Sequence, residues 1–236
     1  MRTPERRRFA LLPRLGIQPA TSVIVKRELE AAFAASTDAT VLDAGCGRVS
    51  ALGPFRPRIG RFVGADIHAP APGSLPHLDE FVTVDLCEES GAFQAATFDV
   101  ILSSFTVEHF ADPEAAFRNL RGWLRPGGRL VITTVNRRHP FVWAYLGMPA
   151  LLRDRLQRLV KATAADAHPI VGACNSPVEL ERGLAAAGFS DVRVTTVGHL
   201  ARAWGRHLPT YVVGLLGDLL VQGVPSRRST IVVSAG

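Results

Sequence analysis

One stretch constrains this chain more than any other: Val41-Leu42-Asp43-Ala44-Gly45-Cys46-Gly47, an apolar run that meets an acid and then two closely spaced glycines. Residues 40–42 read as a short buried strand. The glycines let the backbone turn sharply and approach a ligand, because no Cβ blocks positive φ or close contact. A Gly-x-Gly turn alone is a weak sign of nucleotide binding, so its weight depends on the residues C-terminal to it.

Beyond the turn lies a series of strands that each end in a polar residue. A second strand over residues 61–65 ends in Asp66, at about the 20-residue distance from the turn where an acid meets the ribose hydroxyls of a bound adenosine. A third, 81–84, ends in Asp85; a fourth, 98–102, in Ser103; a fifth, 129–135, in Asn136. Pro54 and Pro57 keep the helical segment after the glycine turn short. Between the fourth and fifth strands a helix opens with Asp112 as N-cap, Pro113 at its first position and Glu114 in its first turn. Phe117, Leu120 and Leu124 form its buried stripe, and Pro126-Gly127-Gly128 stops it. The alternation predicts an α/β fold with a mostly parallel sheet and helices on both faces. Strands at 191–197 and 229–233 complete seven as an antiparallel C-terminal pair. Parallel sheets bind ligands beyond the carboxyl ends of their strands, where Asp43, Asp66, Asp85, Ser103 and Asn136 all fall. Any one of them alone reads as a loop-capping side chain.

The remaining segments supplement that core. Residues 1–36 read as a basic arm and a helix across the edge of a single domain spanning 37–236. Helical insertions are expected near 141–161 and 200–224, above the strand ends. In the second, Val212, Leu215, Leu216, Leu219 and Leu220 recur at helical spacing as one apolar face. Core, a dimer contact, a lid and a membrane surface flanked by Arg202, Arg206, Arg227 and Arg228 are alternative uses of it. Ser176-Pro177-Val178-Glu179 is a capping box that opens a helix ending near Gly188.

At 236 residues and 47% hydrophobic, the chain buries one large core. Its net charge of +6 rests on arginine, since Lys26 and Lys161 are the only lysines among 27 basic residues. The arginine clusters are short and not interleaved with aromatics, so no nucleic-acid partner is expected. Cys46, Cys87 and Cys174 have neither zinc nor disulfide spacing, and no signal peptide or membrane span stands out, so a cytoplasmic location is expected.

Together these residues resemble the class I S-adenosylmethionine-dependent methyltransferases, most nearly the small-molecule type that includes the ubiquinone-biosynthesis O-methyltransferases. The resemblance spans about residues 37–236. It is carried by the glycine turn, Asp66, Asp85, Glu108-His109 with Asp112-Pro113, the Leu124–Gly128 turn and Ala187-Gly188-Phe189. It implies a Rossmann-like fold and S-adenosyl-L-methionine as cofactor. On that basis Asp43 sits near the methionine amino group, and Gly45 and Gly47 give the backbone its approach. Asp66 takes the ribose hydroxyls, Ile67 packs on the adenine, Asp85 and the Leu86 amide read its edge, and Ser103 lines the methionine end. Val49 stands where the family has a third glycine.

Electrostatics favours the same cofactor over a dinucleotide, because Asp43 beside the turn repels a pyrophosphate and attracts an ammonium or sulfonium. Ser50 also replaces the third glycine of the nicotinamide fingerprint. If the methyl acceptor needs a general base, His109 is the first candidate and His139 the second, with a packing or orienting role as the alternative for His109. Ubiquinone-type relatives hold a metal with two glutamates and a histidine here. This chain has Phe105 at the first position, which leaves Glu108 and His109 and predicts no metal. The expected substrate is a small or lipid-like, largely apolar acceptor, with Arg137 and Arg138 available for an anionic group and with peripheral membrane contact open. An RNA methyltransferase and a catalytically silent cofactor-binding protein are the alternatives. Ser103-Ser104-Phe105-Thr106 lacks the Pro-Pro-Tyr pattern of amino-methylating nucleic-acid enzymes.

Overall fold

The computed structural model describes residues 9–17, 20–34, 36–47, 50–71, 73, 75–88, 91–149, 151–153, 155 and 171–236. Seven strands form one sheet: β1 (Ala39–Ala44), β2 (Ile59–Asp66), β3 (Glu80–Thr83), β4 (Phe98–Ser104), β5 (Leu124–Val135), β6 (Arg193–Val197) and β7 (Thr230–Ala235). Their order is β3-β2-β1-β4-β5-β7-β6. The pairs from β3 through β5 are parallel, whereas β7 runs antiparallel to both β5 and β6. Strand order reverses between β1 and β4, and such a switch point opens a crevice at the carboxyl ends of the two strands.

The sheet separates two apolar layers because successive side chains on a strand point to opposite faces. The main helices are α1 (Thr21–Ala32), α2 (Pro113–Trp123), α3 (Pro140–Leu146), α4 (Pro177–Ala186), α5 (Leu200–Ala203) and α6 (Leu208–Leu220). On one face Leu42, Ile101 and Ile132 meet Phe117 and Leu120 of α2 and Leu180 and Leu184 of α4. On the other, Val41, Leu102, Val131 and Val232 meet Ile24, Val25 and Leu29 of α1. Each fully buried Leu, Ile or Phe contributes roughly 1.5–3 kcal/mol. Both helix starts expected from capping residues are present: Asp112 accepts from the Ala115 amide, and Ser176 accepts from the Glu179 amide while donating to its carboxylate.

The segment after the glycine turn is short, as expected: a 3-10 turn, Gly53–Arg58, since Pro54 and Pro57 remove the donors that an α-helix needs. Two expectations are corrected. Helix α1 packs over β5 and β7, two interior strands, rather than across an edge, because Ile24, Val25 and Leu29 and not Val23 form its buried stripe. Strand β5 begins at Leu124, directly after α2: Leu124 pairs with Phe98, the register shifts, and pairing resumes at Val100–Arg129. In α6 the buried residues are Tyr211, Gly214, Gly217 and Asp218, while Val212, Leu216 and Leu220 are exposed. Helix α6 approaches its neighbours through small residues, since a Cβ at Gly214 would lie 2.7 Å from the Leu200 carbonyl oxygen, and one at Gly217 2.8 Å from the Phe141 ring. Of the insertion expected near 141–161, residues 150, 154 and 156–161 lie outside the described residues.

Candidate active site

The turn after β1 is pinned to the end of β2. The Gly45 and Cys46 amides both donate to the Ala65 carbonyl, at 2.7 and 3.1 Å, and the Gly47 amide donates to Asp66 Oδ2 at 3.0 Å. Gly45 and Gly47 hold positive φ, 78° and 50°, where side-chain-bearing residues are strained. At Gly45 a Cβ would also fall 2.2 Å from Thr106 Oγ1, so nothing larger than glycine fits between β1 and the loop after β4. That hydroxyl closes the junction by donating to the Ala44 carbonyl at 3.3 Å.

Asp43 lies beneath this turn and is 2% exposed, and its Oδ2 has no hydrogen-bond partner among the described residues. Burial pushes its carboxyl up to about 7; a hydrogen bond from Ser50 lowers it, and the neighbouring Asp66 charge raises it further. A buried acid so placed is suited to a cationic partner, which would restore its ionised form. Asp66 is half-exposed, and its second oxygen accepts from the His68 amide at 3.2 Å. Ile67 presents an exposed apolar side chain beside it. Asp85 caps its own turn by accepting from the Cys87 amide at 2.8 Å, and the buried Leu86 is tied to α2 through Asn119 Nδ2 at 3.0 Å. Ser103, at the end of β4, is fully buried and its hydroxyl is unpartnered among the described residues. The structure thus brings Asp43, Gly45, Gly47 and Asp66 together by direct contacts at the switch point, with Ser103 on the adjoining strand. Val49 lies outside the described residues.

The two histidines separate. His109 closes the 3-10 turn Val107–His109, its amide donating to the Thr106 carbonyl at 2.9 Å, and its side chain is half-buried. His139 is fully buried. Its Nδ1 accepts from the Phe141 amide at 3.1 Å, capping α3, and its Nε2 donates to the Gly217 carbonyl at 3.2 Å. Burial lowers its proton affinity. With both nitrogens engaged, His139 joins α3 to α6. Asn136 is likewise consumed structurally: it donates to the Ser226 and Arg228 carbonyls and accepts from the Arg138 amide. Arg137 is paired with Glu179, so Arg138 is the more available of the two arginines. Residues that the sequence did not single out are Thr134 and Asn175, both buried beside Glu108. Among the described residues no group of three His, Cys, Asp or Glu side chains converges as a metal site, and no helix is long and apolar enough to cross a membrane. A cavity of about 280 Å³ between Arg27, Glu28, Arg193 and Val232 lies on the α1 side of the sheet, away from the strand ends.

A methyltransferase-domain family matches residues 20–194, and the chain belongs to it as a class I S-adenosylmethionine-dependent methyltransferase. The ubiquinone biosynthesis O-methyltransferase of Chelativorans sp. (strain BNC1) is 31% identical over 154 residues, 63% of this chain and 58% of that one. The enzyme of the same name from Xanthomonas axonopodis pv. citri is 35% identical over 120 residues, 48% of this chain and 50% of that one. The chain therefore spans only about half to three-fifths of the length of these relatives. In fold it is similar to geranyl diphosphate C-methyltransferase from Streptomyces coelicolor A3(2), with a TM-score of 0.60, 16% identity, and coverage of 100% of this chain and 83% of that one. It is also similar to Haemonchus contortus phosphoethanolamine N-methyltransferase 2, with a TM-score of 0.55, 16% identity, and coverage of 98% and 52%.

Proposed function

We propose that the protein transfers a methyl group from S-adenosylmethionine to a small, largely apolar or lipid-like acceptor, with Asp43, Gly45, Gly47, Asp66, Ile67, Asp85, Leu86 and Ser103 holding the cofactor. The observation that carries this reading is the buried Asp43 carboxyl, whose Oδ2 is unpartnered among the described residues, beneath a glycine turn that Asp66 ties to the next strand end. The cofactor supplies an electrophilic methyl on a sulfonium; this chain's residues supply its placement. Asp43 offers its unpartnered oxygen to the cationic end, and ionises fully when that charge is present. Asp66 exchanges bonds to backbone amides for bonds to ribose hydroxyls. Leu86 and Ile67 present apolar surface to the base. In-line displacement needs chiefly orientation, which contributes up to about 7–11 kcal/mol in favourable systems.

His109 is the residue we assign to the acceptor proton, since it stands on the turn after β4 with its side chain half-buried, whereas His139 is fully engaged. An apolar acceptor is supported by the ubiquinone biosynthesis O-methyltransferases named above and by exposed apolar side chains on α3 and α6. Trp143 of α3 is 72% exposed, and Leu208, Leu216 and Leu220 of α6 are exposed as well. Arg138 and Arg206, both exposed, offer charge to an anionic group on such an acceptor or to a membrane surface. Native mass spectrometry for retained S-adenosyl ligand, followed by labelled-donor assays on matched apolar and polar acceptors, tests this reading. Methyl transfer only to polar acceptors, or to RNA, would remove it.

A further inference from the structure

On the acceptor side, three buried polar side chains from distant segments form a directed chain. Glu108 comes from the turn after β4, Thr134 from the end of β5, and Asn175 from the residues that precede α4. Thr134 Oγ1 donates to Glu108 Oε2 at 2.7 Å and accepts from Asn175 Nδ2 at 2.7 Å. The other amide proton of Asn175 goes to the Val135 carbonyl at 3.2 Å. These partners fix the amide orientation. A carboxylate takes the hydroxyl proton, the hydroxyl oxygen then needs a donor, and the Val135 carbonyl accepts only. A flipped Asn175 would set its oxygen against two acceptors.

The amide oxygen is thereby turned away from the network. Asn175 is 0% exposed, yet its Oδ1 has no hydrogen-bond partner among the described residues. Buried polar atoms without partners are few in folded proteins, and each calls for an explanation. The direction of this one is informative: a Cβ built on Gly172 would lie 4.0 Å from Asn175 Oδ1 and 4.0 Å from Leu146 Cδ1 of α3. The oxygen, Leu146 of α3 and Gly172 therefore lie close together beside the strand ends. Residues 171 and 172 are held by Glu108 too, whose carbonyl accepts from both of their amides, at 2.8 and 3.0 Å. Glu108 thus orients Asn175 through its side chain and anchors the neighbouring wall through its backbone, one residue from His109.

We infer that Asn175 Oδ1 is the specificity contact for the methyl acceptor, taking a hydrogen bond from a hydroxyl or protonated amine on an otherwise apolar molecule, with Thr134 and Glu108 as its positioning residues. This rests on the small-acceptor reading above. An apolar wall cannot strongly reject a molecule of the right shape, whereas a buried acceptor atom rejects an analogue that lacks the donor.

The test uses the full chain saturated with S-adenosylhomocysteine and titrated calorimetrically with 4-hexylphenol and 4-hexylanisole, which share an apolar body and differ in the donor. The phenol should bind at least about tenfold more tightly. Asn175→Leu should erase that preference while S-adenosylhomocysteine affinity stays within about twofold, as for a distant site. Because a buried substitution can unfold the protein, Thr134→Val and Thr134→Ser form a second pair: the valine should weaken the preference and the serine restore it. Equal binding of the two probes by the unaltered protein overturns the assignment. So does a preference that persists in Asn175→Leu or, where that variant does not fold, in Thr134→Val. If neither probe binds although S-adenosylhomocysteine does, the apolar-acceptor reading falls together with this assignment; equal binding removes the assignment alone.

Discussion

The two halves of the strand-end edge are built differently. On the side of β1, β2 and β3, each polar residue sits within one or two positions of a strand end and bonds to backbone close by in the chain or on the adjoining strand. Asp66 holds the Gly47 and His68 amides, and Asp85 holds the Cys87 amide. On the side of β5, α3 and α6, side chains are tied across long separations: Thr134 to Glu108, Asn175 to Thr134, and His139 to Gly217. A ligand site made of local turns is specified by short motifs. A site made of tertiary contacts is specified by packing, and its residues carry no mark in sequence.

The sharpest way to break the comparison is at His109, an acceptor-side residue that the sequence offered on a local signal. His109→Ala should lower turnover by about 10²–10⁴-fold, the usual range for removal of a general acid or base, with little change in S-adenosylhomocysteine affinity. Equal loss of both quantities would make His109 structural and leave the acceptor side without a proton acceptor.

Asp43 gives the next largest effect. Its folded-state carboxyl titrates at about 7 against an ordinary value of 3.8, so the folded protein binds the proton more tightly than the unfolded chain. The contribution of this group to stability is therefore greatest below about pH 4 and declines as pH rises toward 7. Asp43→Asn removes that cost. Without cofactor the variant should be more stable than the parent at pH 8, by up to about 4 kcal/mol for a three-unit shift, and the difference should vanish near pH 4. Cofactor binding should show the opposite dependence: affinity should rise through pH 7, with proton release detectable in buffers of different ionisation enthalpy. A melting difference that does not change with pH would detach Asp43 from the electrostatic role.

Asp66→Ala comes third. Loss of hydrogen bonds to the ribose should weaken S-adenosylhomocysteine by about 1.5–3 kcal/mol, the upper part of the range because the acceptor is charged. Isothermal titration with circular dichroism as a fold control decides it, and unchanged affinity would withdraw Asp66 from the cofactor.

These three residues also show how far sequence reasoning reached. The sheet was legible because apolar runs, Asp112 with Pro113, and the Ser176–Glu179 box are local signals, and the two capped helix starts and the number of strands agree with them. His139 and Asn136 were read as site residues on the same logic of a polar group after a strand. In the structure both side chains bond to backbone: the chain past the end of β5 is covered by α6 and the turn 225–228, whose carbonyls take up the polar groups. Asn175 had no signal beyond standing one residue before a helix cap. Its significance lies in bonds to residues 40 and 41 positions away, a distance no local pattern spans.

The smallest expected effect tests the element whose apolar face the sequence left open between core, dimer contact, lid and membrane surface. In α6 burial tracks the closest approach, and Gly214 and Gly217 permit the backbone of α6 to approach α5 and Phe141 more closely than any leucine could. Gly214→Ala should therefore destabilise the protein by about 1–3 kcal/mol despite the better helix propensity of alanine, because its Cβ meets backbone rather than a movable side chain. Leu216→Asp, at a position 57% exposed, should change stability by no more than about 0.5 kcal/mol. Chemical denaturation of the two variants side by side reads the result. A large loss for Leu216→Asp in concentrated protein that grows smaller on dilution would show that the exposed face is covered by a second copy. A small loss at every concentration leaves that face to solvent, or to the acceptor it overhangs.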